Sequence, residues 1–170
     1  VGASFPVFLH PKTHQEYALA RREKKQGVGY HGFSVDFGVE VSLEEDLLRR
    51  DLTINAMAFC PNTSQIIDPH GGQSDLKNHV LRHVSPAFVE DPLRVIRLAR
   101  FHSLFPTFSI DEQLMQYVRQ LIDNGEMKTL AKERVGSEFL KAHQSNYVPK
   151  LFWQHCLQWG LIKQIFDCNS

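Results

Sequence analysis

The chain has only three cysteines in 170 residues, Cys60, Cys156 and Cys168, and no two of them stand at a paired spacing. That argues against a structural zinc site or a disulfide framework, and it makes a reducing cytoplasm the expected home. No stretch reads as a signal peptide and none approaches the roughly eighteen apolar residues in a row that a spanning helix needs, so no membrane segment is expected. There is no net charge either: 19 Lys and Arg balance 19 Asp and Glu, which excludes an indiscriminate polyanion binder. Internal repeats and low-complexity tracts are absent. His10 with His14 and His79 with His83 are four apart, but Pro11 interrupts the first pair and neither has convergent acids or cysteines, so both read as scattered histidines rather than ligands. With 42% apolar content the chain is long enough to bury one core or two small ones.

What the chain does carry is an ordered row of charge. In EDPLRVIRLARF, Asp91, Arg94, Arg97 and Arg100 recur at intervals of three. Residues three apart are neighbours on a helix surface, so the spacing predicts one slanted ridge. At the helical rise per residue the ridge spans roughly 13 Å, about the reach from a base to the far end of a triphosphate. A carboxylate accepts hydrogen bonds and a guanidinium donates them in a fixed plane, so Asp91 beside Arg94 offers an acceptor next to a donor. Adenine and cytosine each present an exocyclic amino donor beside a bare ring nitrogen, and satisfy both. Guanine and uracil present a carbonyl and a ring N–H, which would leave buried polar groups unpaired. Arg97 and Arg100 would then lie along the phosphates, where the arginine fork suits a bidentate grip. The competing reading is a solvated helix face laced with i,i+3 ion pairs.

About forty residues upstream stands a second motif, Arg49-Arg50-Asp51 followed by LTINAMAF. SLEEDLLRRD begins with Ser42 and acids and ends with basic residues, the polarity a helix dipole favours, and predicts a helix over 43–51. LTINAMAF reads as a buried strand or apolar element whose only polar interruptions, Thr53 and Asn55, need partners if buried. A structural account would make Arg50 and Asp51 a helix-terminal ion pair.

Taken together, RRDLTINA and EDPLR in this order resemble the class II tRNA nucleotidyltransferase family, which contains the CCA-adding enzymes and the bacterial poly(A) polymerases. Matching segments run from FPVFLHPKTHQEYALARREKKQGVGYHGF through IIDPHGGQSDLKNHVLRHVSPAFVEDPLRVIRLARF and, more weakly, KERVGSEFLKAH. ALARREKK, YHGF and HVSPAF resemble most the bacterial CCA-adding branch. The resemblance implies a polymerase that adds or repairs the 3′-terminal CCA of tRNA from CTP and ATP with magnesium, releasing pyrophosphate, its partner being the tRNA 3′ acceptor end. It implies that Asp91 and Arg94 template the base. Arg50 and Asp51 would contact the nucleotide, the acid near the ribose, while Arg97 and Arg100 bind the phosphates or hold the site together.

One departure from the family pattern matters. Family members begin with a Gly-Gly turn, an Arg-Asp pair and an Asp-x-Asp whose carboxylates hold two magnesium ions, and no Asp-x-Asp occurs in this chain. Two-metal phosphoryl transfer needs those ligands, so the chain as it stands is expected to be catalytically inactive and to be a piece of a longer enzyme. The resemblance leaves one catalytic carboxylate, Glu16, on the predicted strand HQEYALAR; the alternative for Glu16 is a plain strand-edge glutamate. No metal ligand is assigned. A bacterial poly(A) polymerase, or a non-catalytic nucleotide- or RNA-binding module, stands as the rival reading.

The expected organisation is α+β: residues 1–84 as a partial polymerase-β-like nucleotidyltransferase head, a mixed sheet with helices, then residues 85–170 as an all-α neck. Strands are expected near 5–9, 15–21 and 53–59, with a turn at Asp68-Pro69-His70-Gly71-Gly72. Arg21, Arg22, Lys24 and Lys25, ahead of Gly27 and Gly29, read as a mobile basic loop or a solvated turn. From Ser85 onward the signals are helical: SPAFVEDP supplies a serine cap and Pro92 in a first turn, Phe105-Pro106 stops that helix, and DEQLMQYVRQLIDN, KERVGSEFLKAH and LFWQHCLQWGLIKQIF give three more.

Overall fold

The computed structural model describes residues 7–25, 33–38 and 40–166, with the backbone alone at 23–25 and 33–37. The first strands form two hairpin ladders. β1 (Val7–Leu9) pairs antiparallel with β2 (Glu16–Ala18), setting Leu9 opposite Glu16. β3 (Arg21–Lys25) pairs antiparallel with β4 (Phe33–Phe37). The basic segment is therefore not a loop through Lys25. Its partner, FSVDF, alternates apolar and polar residues at the strand period, and that pairing lets a charged run become a strand. Gly27 and Gly29 lie outside the described residues.

α1 (Leu43–Leu48) starts on a capping box: Ser42 Oγ accepts from Glu45 N–H, and the Glu45 carboxylate accepts from Ser42 N–H. It is shorter than the sequence predicts, because Arg49 is already its C-cap. Asp46 takes hydrogen bonds from Arg49 Nη2 at 2.7 Å, Arg50 Nη2 at 2.9 Å and Arg21 N at 3.2 Å, which pins α1 to β3. Burial pushes the Asp46 carboxyl up, but the two guanidiniums outweigh it and hold the group below its ordinary value.

LTINAMAF is not a continuous strand. Thr53–Asn55 is a single 3₁₀ turn, and only β5 (Ala58–Cys60) is extended, antiparallel to β6 (Gln65–Ile67). The polar residues decide this, because each finds its partner only if the chain turns. Thr53 Oγ1 donates to Asp75 Oδ2 at 2.7 Å, and Asn55 Nδ2 donates to Asp51 Oδ1 at 3.1 Å. α2 (Gly72–Asn78) opens where Asp68 accepts from the N–H groups of Gly72 and Gln73. A side chain at position 72 would meet the Thr53 carbonyl at 2.3 Å, so glycine is required by close approach. Arg82 then bridges Asp75 to Asp111 (Nη1 to Oδ2, 2.6 Å), tying α2 to the cap of a later helix.

β7 (Val80–Leu81) pairs in parallel with β8 (Ser109–Ile110) across the intervening helix. Among the described residues the strands thus form four two-stranded ladders, and the rest of the architecture is helical. Ser85 caps a 3₁₀ turn at Pro86–Glu90, and α3 (Leu93–Leu104) begins separately after Pro92 rather than continuing from Ser85. α4 (Glu112–Asp123) is capped by Asp111, and α5 (Lys132–Lys141) follows a third 3₁₀ turn, Glu126–Thr129. The last predicted helix is two, α6 (Pro149–Gln158) and α7 (Leu161–Phe166), broken where Gly160 takes a φ of +68°.

α3 is the core element. Val95, Ile96, Leu98 and Ala99 are buried in one cluster with Leu114, Val118 and Leu121 of α4, Val135 of α5 and Phe152 of α6. Leu52 and Leu81 join the same cluster. Each buried Val, Leu, Ile or Phe side chain contributes about 1.5–3 kcal/mol. α3 is also latched to α6 by His102 Nδ1 and His155 Nε2, 2.7 Å apart, with the His155 ring stacked on Trp159.

Burial lowers His102, and burial with the neighbouring His102 lowers His155 to about 4. An unfolded histidine takes a proton near its ordinary value while the folded pair does not, so stability falls as pH drops from about 6.5 towards about 4. The expected loss is on the order of 3 kcal/mol. Urea midpoints measured across that range check it, and His155→Gln should flatten the slope.

Candidate nucleotide site at the head of α3

Asp91 stands ahead of the helix rather than on it. Pro92 restricts the residue before it to extended backbone, and Asp91 has φ −125° and ψ 103°. The ridge is therefore Arg94, Arg97 and Arg100, with Asp91 in front. The solvated-face reading does not describe it, since Arg94 is 9% exposed and Arg100 5%.

Each member has definite partners. Asp91 Oδ1 accepts from Leu93 N–H at 3.2 Å, and both carboxylate oxygens accept from Arg134 of α5, at 3.2 and 2.7 Å. Arg94 donates to the backbone carbonyls of Ala87 and Arg49, both at 2.6 Å. Arg97 Nε donates to Asp51 Oδ2 at 2.7 Å. Arg100 donates to Glu138 Oε2 at 2.6 Å and to the Tyr147 hydroxyl at 2.9 Å, and its guanidinium lies over the Phe101 ring at 4.3 Å.

The upstream motif meets the row here. Arg50 and Asp51 do not pair with each other: half-exposed Arg50 reaches back to Asp46, while buried Asp51 takes Arg97, Asn55 and Leu52 N–H. Burial pushes the Asp51 carboxyl up, but the charge and hydrogen bond of Arg97 outweigh it and keep the group ionised below its ordinary value. Burial acts against Arg97 as well, and Asp51 with Glu138 raises it nonetheless. Backbone bonds from Thr53 N–H to Arg82 O and from Val84 N–H to Asp51 O hold the RRD segment beside the chain that leads into α3.

Glu16 is exposed on β2, and among the described residues no group of three or more His, Cys, Asp or Glu side chains converges to hold a metal. Among the described residues there is thus no ligand set for the magnesium that the family resemblance implies. Arg134, Glu138 and Tyr147 were not singled out from sequence. The available signal was the spacing of Arg134 and Glu138, four apart on α5 and opposite in sign to the two ends of the row.

The fold is α+β: short strand ladders lead into a second half that is helical apart from the two-residue strand β8. Residues 7–82 match the family described as poly A polymerase head domain. The Multifunctional CCA protein of Vibrio cholerae serotype O1 is 55% identical over 158 residues, covering 91% of this chain and 38% of that protein. The CCA-adding enzyme of Francisella tularensis subsp. tularensis is 49% identical over 168 residues, covering 98% of this chain and 46% of that protein. Among solved structures, the Thermotoga maritima CCA-adding enzyme complexed with tRNA superposes with a TM-score of 0.71 at 27% identity, over 98% of this chain and 39% of that one. Complexes of CCA-adding enzyme with ATP and with CTP superpose with TM-scores of 0.71 and 0.70, at 25% and 26% identity, over 98% and 96% of this chain and 39% and 40% of those chains. The chain belongs to the tRNA nucleotidyltransferase family of CCA-adding enzymes and poly(A) polymerases, and it spans less than half the length of these curated relatives.

No described helix is long and apolar enough to cross a membrane.

Proposed function

We propose that this chain is the nucleotide-selecting part of an enzyme that adds or repairs the 3′-terminal CCA of tRNA, using CTP and ATP and releasing pyrophosphate. The observation that carries the reading is the 2.7 Å bond between Arg97 and Asp51, which joins the RRD segment to the row and makes one site of two motifs far apart in sequence. In that site Asp91 accepts from the base amino group and Arg94 donates to the adjacent ring nitrogen. The two carbonyls that hold Arg94 fix its plane in advance, which favours discrimination over adaptability. Asp51 and Arg50 lie where the sugar and phosphates would approach. Arg97 serves the phosphates while anchored to Asp51, and Arg100, buried against Glu138, holds the site together. Glu16 belongs to the catalytic side of the head. A head ending near residue 84, a neck beyond it, magnesium bound with the nucleotide, and a cytoplasmic location complete the proposal. The free Cys60 and Cys156 favour a reducing compartment.

Poly(A) synthesis is the second reading, favoured by the head domain that residues 7–82 match. Incubating the full-length protein with magnesium and tRNA lacking CCA, with each nucleoside triphosphate alone, separates the two. CCA addition predicts incorporation of CTP without ATP. Incorporation of ATP alone, with CTP inert, would establish the poly(A) reading instead.

A further inference from the structure

α5 mirrors the charge of the row it packs against. Arg134 and Glu138, one helical turn apart, meet Asp91 and Arg100, so a basic-then-acidic pair clasps an acidic-then-basic one at both ends. The two ends differ in exposure. Glu138 is 3% exposed, so its end is sealed. The Asp91 and Arg134 side chains are 26% and 29% exposed, open enough for a ligand to reach the carboxylate.

An ionised carboxylate has about four acceptor positions. Described residues fill three at Asp91: Leu93 N–H and Arg134 Nη1 on Oδ1, and Arg134 Nη2 on Oδ2. One position is left, on Oδ2. A fork that grips both oxygens fixes the plane of the carboxylate, and therefore the direction in which that last position points. We propose that Arg134 is a positioning residue for base selection: its bidentate grip aims the remaining acceptor of Asp91 at the amino group of cytosine or adenine. This rests on the base-reading role of Asp91 given above.

The test uses the full-length protein and four variants, Arg134→Gln, Arg134→Lys, Asp91→Asn and Glu138→Gln, each assayed for kcat/KM with CTP and with UTP and for its thermal midpoint. Arg134→Gln should lower the CTP-over-UTP ratio by about tenfold or more, the scale of a lost charged hydrogen bond. Arg134→Lys keeps the charge without the fork, and its ratio should fall between Arg134→Gln and wild type. Glu138→Gln, at the sealed end of the same clasp, should depress both nucleotides alike and leave the ratio unchanged, which separates aiming the base from holding the helix. If Asp91→Asn loses discrimination while Arg134→Gln keeps it, the positioning role is overturned and base reading by Asp91 stands. If Asp91→Asn itself keeps discrimination, the base-reading assignment fails and this inference with it. Should Arg134→Gln not fold, Arg134→Lys decides: a reduced ratio at a wild-type midpoint supports the role, and an unchanged ratio overturns it.

Discussion

Replacing Glu138 with alanine should lower the unfolding free energy of the full-length protein by about 3–5 kcal/mol, among the largest stability losses available from a single change in this chain. The carboxylate is 3% exposed and takes Arg100 Nε at 2.6 Å and Lys141 Nζ at 3.0 Å, with Arg97 Nη1 at 3.8 Å. Truncation would strand Arg100, itself 5% exposed, with the Tyr147 hydroxyl and the Phe101 ring but no counter-charge. An uncompensated buried cation is costly, whereas removing both partners need not be, so Arg100→Met with Glu138→Leu should recover most of the loss. Burial raises the Glu138 carboxyl, but Arg100, Lys141 and Arg97 hold it below its ordinary value. Its contribution is therefore complete above the unfolded carboxyl value and disappears as pH falls through the depressed folded one. Chemical denaturation of the single and double variants measures this. A loss under about 1 kcal/mol in the single variant would mean the pair behaves as a solvated surface bridge.

The largest functional effect should come from Arg94→Ala. Its guanidinium is proposed to supply the donor that cytosine and adenine satisfy and uracil and guanine do not, and sites built on such bonds discriminate steeply. The CTP-over-UTP ratio of kcat/KM should therefore fall by about a hundredfold or more. Arg94→Lys should not restore it, because a single ammonium cannot reach the Ala87 and Arg49 carbonyls and a base in the planar arrangement of the fork. Arg97→Ala should act differently. It removes the bond to Asp51, leaves that carboxylate buried without its counter-ion, and loosens the meeting of the two motifs. Both nucleotides should then weaken together, by about tenfold or more, with the ratio preserved.

How much of this was legible in the sequence depended on whether a signal was local. The Ser42 helix start, the Asp68 turn before α2 and the stop at Phe105-Pro106 are set by neighbouring residues, and each was read correctly, though the reciprocal Glu45 bond of the capping box was not. The α+β head, the helical neck and the family were legible from RRDLTINA and EDPLR. What sequence did not give was pairing at a distance. The basic stretch at Arg21–Lys25 is a strand because FSVDF lies beside it, and LTIN turns because Asp75 and Asp51 wait for Thr53 and Asn55. The row looked like one continuous surface, reading the base at one end and gripping phosphates at the other. Each of its side chains in fact has its own set of partners, because Pro92 moves Asp91 off the helix and α5 brings Arg134 and Glu138 to its two ends. A spacing of three predicts which residues share a face; it does not predict what is packed against that face.

The head of α3 is proposed to select the base, and the middle of the row to serve every nucleotide alike. The most direct test is the ratio of kcat/KM for CTP over UTP in full-length Arg94→Ala, measured beside the same ratio in Arg97→Ala. The ratio should collapse towards one in the first and stay near wild type in the second. Equal losses of discrimination in the two variants would contradict it.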